Sequence, residues 1–541
     1  MCRRLLLSCV TLAFTALVPA QTVVQWANSG TDFLAGASWG GTGPTAADIA
    51  AFAGAATTQP SLTADKSVAG VRFAGDAGAF TLSASGAFTL TIGSSGIDNL
   101  SSATQTISAP LLFNTASSSI TNNGTLLIGG AVTNSTTASL VLTGTGAGGT
   151  ISGNVGGSGG IAKQGSGKWV LSGANTYAGP TAIQGGVLSV SSLADGGTAS
   201  NLGASPSAVA NLVLGGGLLQ YTGAAVNTDR LFTLGSNGGT LDASGTGALN
   251  LTNTNAIALG GGAVPRTLTL TGSNPGANTF TPTLGDNGIV ATSLTKSDAG
   301  TWVLNGVNTF TGPTTINAGT LRLGVNNALS ASTAVNLPTS GATLDVNGKT
   351  GTVGSIAGVS GTTIALGLGT LATAGNNSTT FAGTISGPGG NLTKGGTGTL
   401  TLSGANNSYT GVTTINGGVL SVGSLANGGA NSSIGASTSA AANLILDGAR
   451  LQYTGAGQST DRLFTIGANG TTLDASGAGA LTFGNAGSLA YTGTNVTRNF
   501  TLTGANDSLN ELSPILADSG SGVTSLTKNG SGTWALAGAN T

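Results

Sequence analysis

The chain has 541 residues, 39% hydrophobic but only 6% charged, with a formal net charge of −1. So small a charge gives no electrostatic reason to bind nucleic acid or an anionic membrane. There is no histidine, and both cysteines, Cys2 and Cys9, sit at the extreme N-terminus, so catalysis by histidine or cysteine and zinc sites built on them are excluded beyond it.

Residues 1–20 place Arg3 and Arg4 before an apolar run of about a dozen residues and end in Val18-Pro19-Ala20. This pattern predicts a secretory signal peptide cut between Ala20 and Gln21, too short to span a bilayer. Leu6-Leu7-Ser8-Cys9 offers a lipoprotein box as the alternative, but the apolar run before it is too short. Cleavage would remove both cysteines and two arginines, leaving a net charge of −3.

Residues 21–55 differ in composition from the rest of the chain, with Trp26, Trp39, Pro44, Asp48 and Phe52 in one short stretch. A stack of coils exposes unpaired backbone groups at its open end, so this stretch is read as an N-terminal cap. The alternative is a glycan-binding platform formed by the two tryptophans.

From residue 56 to 541 short apolar alternations such as Phe88-Thr89-Leu90-Thr91-Ile92 are separated by Gly- and Asn-rich corners. Acidic residues are sixteen Asp and a lone Glu511, and 94 glycines accompany many Thr, Ser and Val, a mixture that disfavours helix. Within this region one motif recurs at 161–190, 294–324 and 392–423, and begins again at 526–541. Its first copy carries Trp169, Leu171, Asn175, Tyr177, Ile183 and Leu188. The second carries Trp302, Leu304, Asn308, Phe310, Ile316 and Leu321. The third carries Leu400, Leu402, Asn406, Tyr409, Ile415 and Leu420, with Asn407 as an inserted residue. The period of two predicts strands with one face on a core, and each copy reads as strand, corner, strand, corner, strand, about one coil. The copies lie several coils apart, so their asparagines cannot form one ladder; each is expected to fix its own corner.

A larger unit is also duplicated. Asp229-Arg230-Leu231-Phe232-Thr233 returns as Asp461-Arg462-Leu463-Phe464-Thr465, and Leu241-Asp242-Ala243-Ser244-Gly245 returns at 473–477, both 232 residues on. A stack whose units touch only their neighbours tolerates such copying. The predicted fold is therefore all-β, a right-handed parallel β-helix (β-solenoid) of short strands and Gly/Asn-rich corners. At roughly 20–25 residues per coil it would have about 20–26 coils and, at about 4.8 Å each, a length of about 100–125 Å.

The order Lys-x-Gly-x-Gly-x-Trp, Leu-x-Gly-x-Asn-x-Tyr/Phe, Gly-x-Thr, Ile, Gly-x-Leu resembles the passenger-associated repeat, or autotransporter-associated β-strand repeat, of large secreted bacterial proteins. Copy one departs from it with Thr181-Ala182 before the Ile, and copy two with Ser297-Asp298-Ala299 in its turn. The resemblance implies a secreted or outer-surface stalk of a Gram-negative-type bacterium, adhesin-like and non-enzymatic, without cofactor or metal. Its implied partners are the export machinery and extracellular glycans or other cell surfaces. Thr541 falls in mid-motif, so the C-terminal anchor of such proteins, a β-barrel or a sorting signal, is expected beyond this chain. The rival reading is a polysaccharide-degrading or glycan-binding β-helix, but the carboxylates are scattered singly. Asp229 and Asp461 read as structural ion pairs or turns with the adjacent arginines, and Asp242 and Asp474 as turn formers.

Overall fold

The computed structural model describes residues 21–116 and 118–541, so the predicted signal peptide with Ala20 lies outside it and Gln21 is the first residue described. Short strands wind around three faces and pair in parallel, each with the strand about one coil before it. One face is continuous: 21 strands follow one another from Ser61–Leu62 to Thr524–Lys528. This ladder is open, each strand pairing only with its neighbours, and at about 4.8 Å per step it is about 100 Å long.

The other two faces are interrupted. The face that begins with Val23–Gln25 ends at Ala258–Leu259, and its position is taken up again from Thr350–Val353 to Ala490–Tyr491. The remaining face carries Leu111–Phe113, Val132–Asn134 and Val155–Gly157, then strands from Val226–Thr228 to Thr384–Ser386 and again from Gln458–Thr460 to Trp534–Leu536. In the gaps the chain crosses without a strand, as it does over residues 172–180 and 305–313. The spacing from coil to coil is uneven, nineteen residues from Lys168 to Val187 but thirty-one from Val187 to Leu218.

Alternation decides what is inside. Trp169, Leu188, Leu219, Leu241 and Leu270 stack in register along the continuous ladder, all within the core. Each such side chain is worth about 1.5–3 kcal/mol when withdrawn from water. The partner of Trp169 in the coil before is Gly149, and a Cβ there would press 2.6 Å from the indole ring. Glycine at that point is what lets a tryptophan into a column of leucines. The buried side chains form one cluster along the described solenoid, from Trp26 to Leu516.

One expectation needs correction. The motif is longer than a coil: Ile161–Lys163 pairs with Thr181–Ile183 and Lys168–Leu171 with Val187–Val190, so copy one contains four strands and stacks on itself. Its strands also do not keep to one face. The Lys-bearing strand of copy two, Thr292–Lys296, belongs to the continuous ladder, whereas those of copies one and three, Ile161–Lys163 and Asn391–Lys394, lie on the interrupted face beside it. Uneven coil lengths shift the motif around the prism.

The N-terminal stretch closes the aromatic end of the core. Val23–Gln25 pairs with Ile49–Phe52, and between them the chain carries Phe33 and Trp39 over the first coil. Trp39 meets Trp26 and Phe33 edge to face, each at 5.0 Å, and Phe52 at 5.8 Å. Its Nε1 donates to the Phe33 carbonyl at 2.7 Å. Trp26 and Trp39 are only 2% and 6% exposed, so their ring faces are not available as a glycan platform.

Candidate functional site

The residues that the motif singles out are mostly internal. Trp169, Leu171, Tyr177, Ile183 and Leu188 are buried, as are Trp302, Leu304, Phe310, Ile316 and Leu321, and Leu400, Leu402, Tyr409, Ile415 and Leu420. The indoles satisfy their N–H groups by donating to the Thr143 carbonyl at 3.1 Å and the Thr271 carbonyl at 2.9 Å. Tyr177 and Tyr409 share hydrogen bonds of 2.7 and 2.8 Å with Thr181 and Thr413. Burial raises both phenols above their usual range, against the smaller opposing effect of those threonines.

The asparagines tie coils together, and two of them also bond within their own corner, Asn308 to the Gly306 carbonyl and Asn407 to the Gly404 carbonyl. Asn175 Oδ1 accepts from the Val155 N–H in the coil before at 2.8 Å, and its Nδ2 donates to the Asn201 carbonyl ahead at 2.7 Å. Asn308 joins the Leu284 N–H to the Ala328 carbonyl in the same way. In copy three the residue that does this is Asn407, bonded to the Ile385 N–H and the Ser433 carbonyl, while Asn406 is exposed. The extra residue is thus accommodated on the solvent side of the corner, because only one of the two amides can sit between coils. Replacing Asn308 with alanine should cost about 1–3 kcal/mol by orphaning buried groups in two coils, whereas Asn406→Ala should be nearly silent. Denaturant unfolding of the two variants checks this.

Lysine is the motif residue whose role the sequence does not reveal. Lys163 is fully buried, and its Nζ donates to the carbonyls of Gln164, Gly165 and Gly185 at 2.5, 3.0 and 3.0 Å. Lys296 does the same to Ser297, Asp298 and Ala318, and Lys394 to Gly395, Gly396 and Gly417. Each ammonium thereby satisfies the Gly-rich turn of its own coil and of the next. Burial pulls Lys163 and Lys296 down to about 8 and lowers Lys394 as well. The unfolded chain therefore holds more protons between about pH 8 and 10.4, and stability should rise with pH across that window. Above about pH 10 the sign reverses, because unfolded tyrosines ionise before the buried ones. Denaturant midpoints from pH 7 to 11 should pass through a maximum near pH 9–10; a steady fall from pH 8 would contradict the assignment.

Arg230 and Arg462 are buried and are not ion-paired to the aspartates beside them. Each clamps a long excursion of the chain, residues 191–211 or 423–443. Arg462 donates to the carbonyls of Ala426, Ser437, Ala430 and Gly435 and to the Ser437 hydroxyl. Arg230 makes the corresponding contacts with Ala194, Ser205 and Gly203. Asp461 and Asp229 accept instead from the Gly428 and Gly196 N–H groups, each at 2.7 Å.

Asp242 and Asp474 lie on the outward side of the continuous ladder and are nearly buried there. Each takes hydrogen bonds from a serine two residues on, Ser244 or Ser476, and from Gln220 or Gln452 in the preceding coil. Ten ladder steps, about 48 Å, separate the two, so they cannot flank one glycosidic bond, which requires about 5–10 Å. Among the described residues no three His, Cys, Asp or Glu side chains gather into a possible metal site.

The family description of the passenger-associated-transport repeat matches residues 161–190, 294–323, 392–422 and 526–541. The chain carries the passenger-associated-transport repeat in four places. It is also similar to the adhesin BmaC autotransporter of Brucella suis biovar 1 (strain 1330), at 38% identity over 370 residues. That alignment takes in 67% of this chain and 10% of the adhesin, so the chain corresponds to about a tenth of its relative's length. No solved structure matches the chain significantly. The four repeats coincide with the Lys-bearing strands and their turns, and in the first three the lysine joins successive coils.

Proposed function

We propose that this chain is a stretch of the non-enzymatic passenger of a bacterial surface adhesin, displayed outside the outer membrane after export. The observation that carries this reading is the 38% identity to an autotransporter adhesin over most of the chain. The solenoid supports it physically. An open ladder about 100 Å long, without disulfides beyond the first nine residues, is a spacer that holds side chains away from a cell surface. Export by a general secretory route fits the predicted signal peptide, with cleavage between Ala20 and Gln21. Residues 21–55 serve as the end cap and residues 56–541 as the solenoid, with extracellular surfaces as partners.

The test is display of the chain on a non-adherent Gram-negative host through a heterologous outer-membrane anchor. Adhesion to epithelial cells or extracellular matrix should rise several-fold over the anchor alone. Equal adhesion, with surface exposure verified by antibody, would overturn the reading.

A further inference from the structure

Among the positions at which the duplicated blocks differ is an outward row of the continuous ladder. In the second block that row reads Val419, Arg450, Thr472, Thr501. In the first block the same row reads Val187, Leu218, Thr240, Thr269. Beside it Asn499 stands where the first block has Thr267, and Thr471 where it has Gly239. Arg450, Thr472, Asn499 and Thr501 line a groove of about 530 Å³ across four coils, with Asn469 at its corner.

The groups lining this groove are mixed donors and acceptors. Arg450 Nη1 lies 3.3 Å from Asp474 Oδ2, with the arginine side chain 46% exposed and the aspartate only 3%. Asp474 is already engaged by Gln452 and Ser476, whereas the Nε and Nη2 of Arg450 have no hydrogen bond among the described residues. The Asn469 amide is free in the same sense, its backbone N–H being held by Asp447 at 2.8 Å. Asn499 donates to Thr501 and accepts from Thr527, which fixes its amide plane. Asp474 and Asp447 together outweigh the charge of Arg450, which disfavours an anion. The lining contains no aromatic ring and little apolar surface, which disfavours a hydrophobic peptide. A sugar hydroxyl both donates and accepts, as does this set of groups, placed on rows about 4.8 Å apart.

We propose that this groove is a binding site for a neutral, hydroxyl-rich glycan, created in the second block by Arg450 and Asn499 and absent from the first. The proposal deepens the adhesive reading and rests on it for the site's purpose. In the first block Leu218 occupies the place of Arg450, and the nearby cation is Lys168, which donates to Gln220 at 2.9 Å.

The test is saturation-transfer NMR and titration of the full chain with lactose, maltose and mannobiose, with galacturonate as the anionic control. At least one neutral disaccharide should bind at one site per chain. R450L with N499T, which restores the first block's own residues, should weaken it at least tenfold without changing the circular dichroism. The reverse pair, L218R with T267N, should raise the stoichiometry toward two. No neutral sugar bound, tighter binding of galacturonate, or affinity unchanged in R450L/N499T would each overturn the site. If displayed cells adhere equally with R450L/N499T while no sugar binds, the site falls and the adhesive reading stands. If the chain binds sugar but displayed cells do not adhere, the adhesive reading falls and the site stands.

Discussion

Replacing Arg462 with methionine is expected to release the 423–443 excursion while leaving the ladder on either side intact. The guanidinium is the common partner of four carbonyls from that excursion, and methionine fills similar volume without a donor. Each orphaned buried acceptor costs about 1–3 kcal/mol, and partial relaxation to water brings the expected local loss to about 3–5 kcal/mol. Amide exchange within residues 423–443 should accelerate by at least a hundredfold, and chymotrypsin should gain a cut near Leu425. Arg230→Met should do the same to residues 191–211, and the two effects should add, since 232 residues and ten ladder steps separate them. An excursion that stays protected in Arg462→Met would show that Tyr409 and Asp461 hold it without the arginine.

The second large effect is expected at the N-terminal end. Trp39 touches Trp26, Phe33 and Phe52, so Trp39→Ala opens a cavity in the aromatic plug that covers the first coil. Large-to-small changes of this kind cost about 3–5 kcal/mol. A solenoid is stabilised by neighbour contacts, so the loss should appear as fraying of residues 21–62 and faster proteolysis there, with the midpoint of distant coils unchanged. Increased aggregation should accompany it, because the uncovered coil offers unpaired strand edges. Global unfolding at one lowered midpoint would mean that the stack is a single cooperative unit.

Much of this architecture is visible in local patterning. Trp169 and Leu171, or Leu188 and Val190, alternate with outward residues, and a strand side chain has only two directions to take. The polar framework is less legible. Lys163 and Arg230 look like ordinary surface residues in a low-charge chain, and their acceptors are carbonyls, which every residue carries and no motif marks. Asn406 and Asn407 are indistinguishable by type, and only the position of the neighbouring coils selects the second. The groove at Arg450 has a faint signal, a leucine-to-arginine difference between copied blocks, but alignment alone does not say that it faces outward beside Asn469 and Asn499.

The sequence by itself determined that short strands and glycine corners would wind into a parallel stack, because period-two alternation and turn chemistry are properties of a few consecutive residues. It also determined that the stack could grow by copying. Only the tertiary structure decided which face each copy occupies, which amide bridges coils and which cations are interior. Those depend on the accumulated length of uneven coils and on carbonyls some twenty to thirty-five residues away, brought within about 3 Å by the winding.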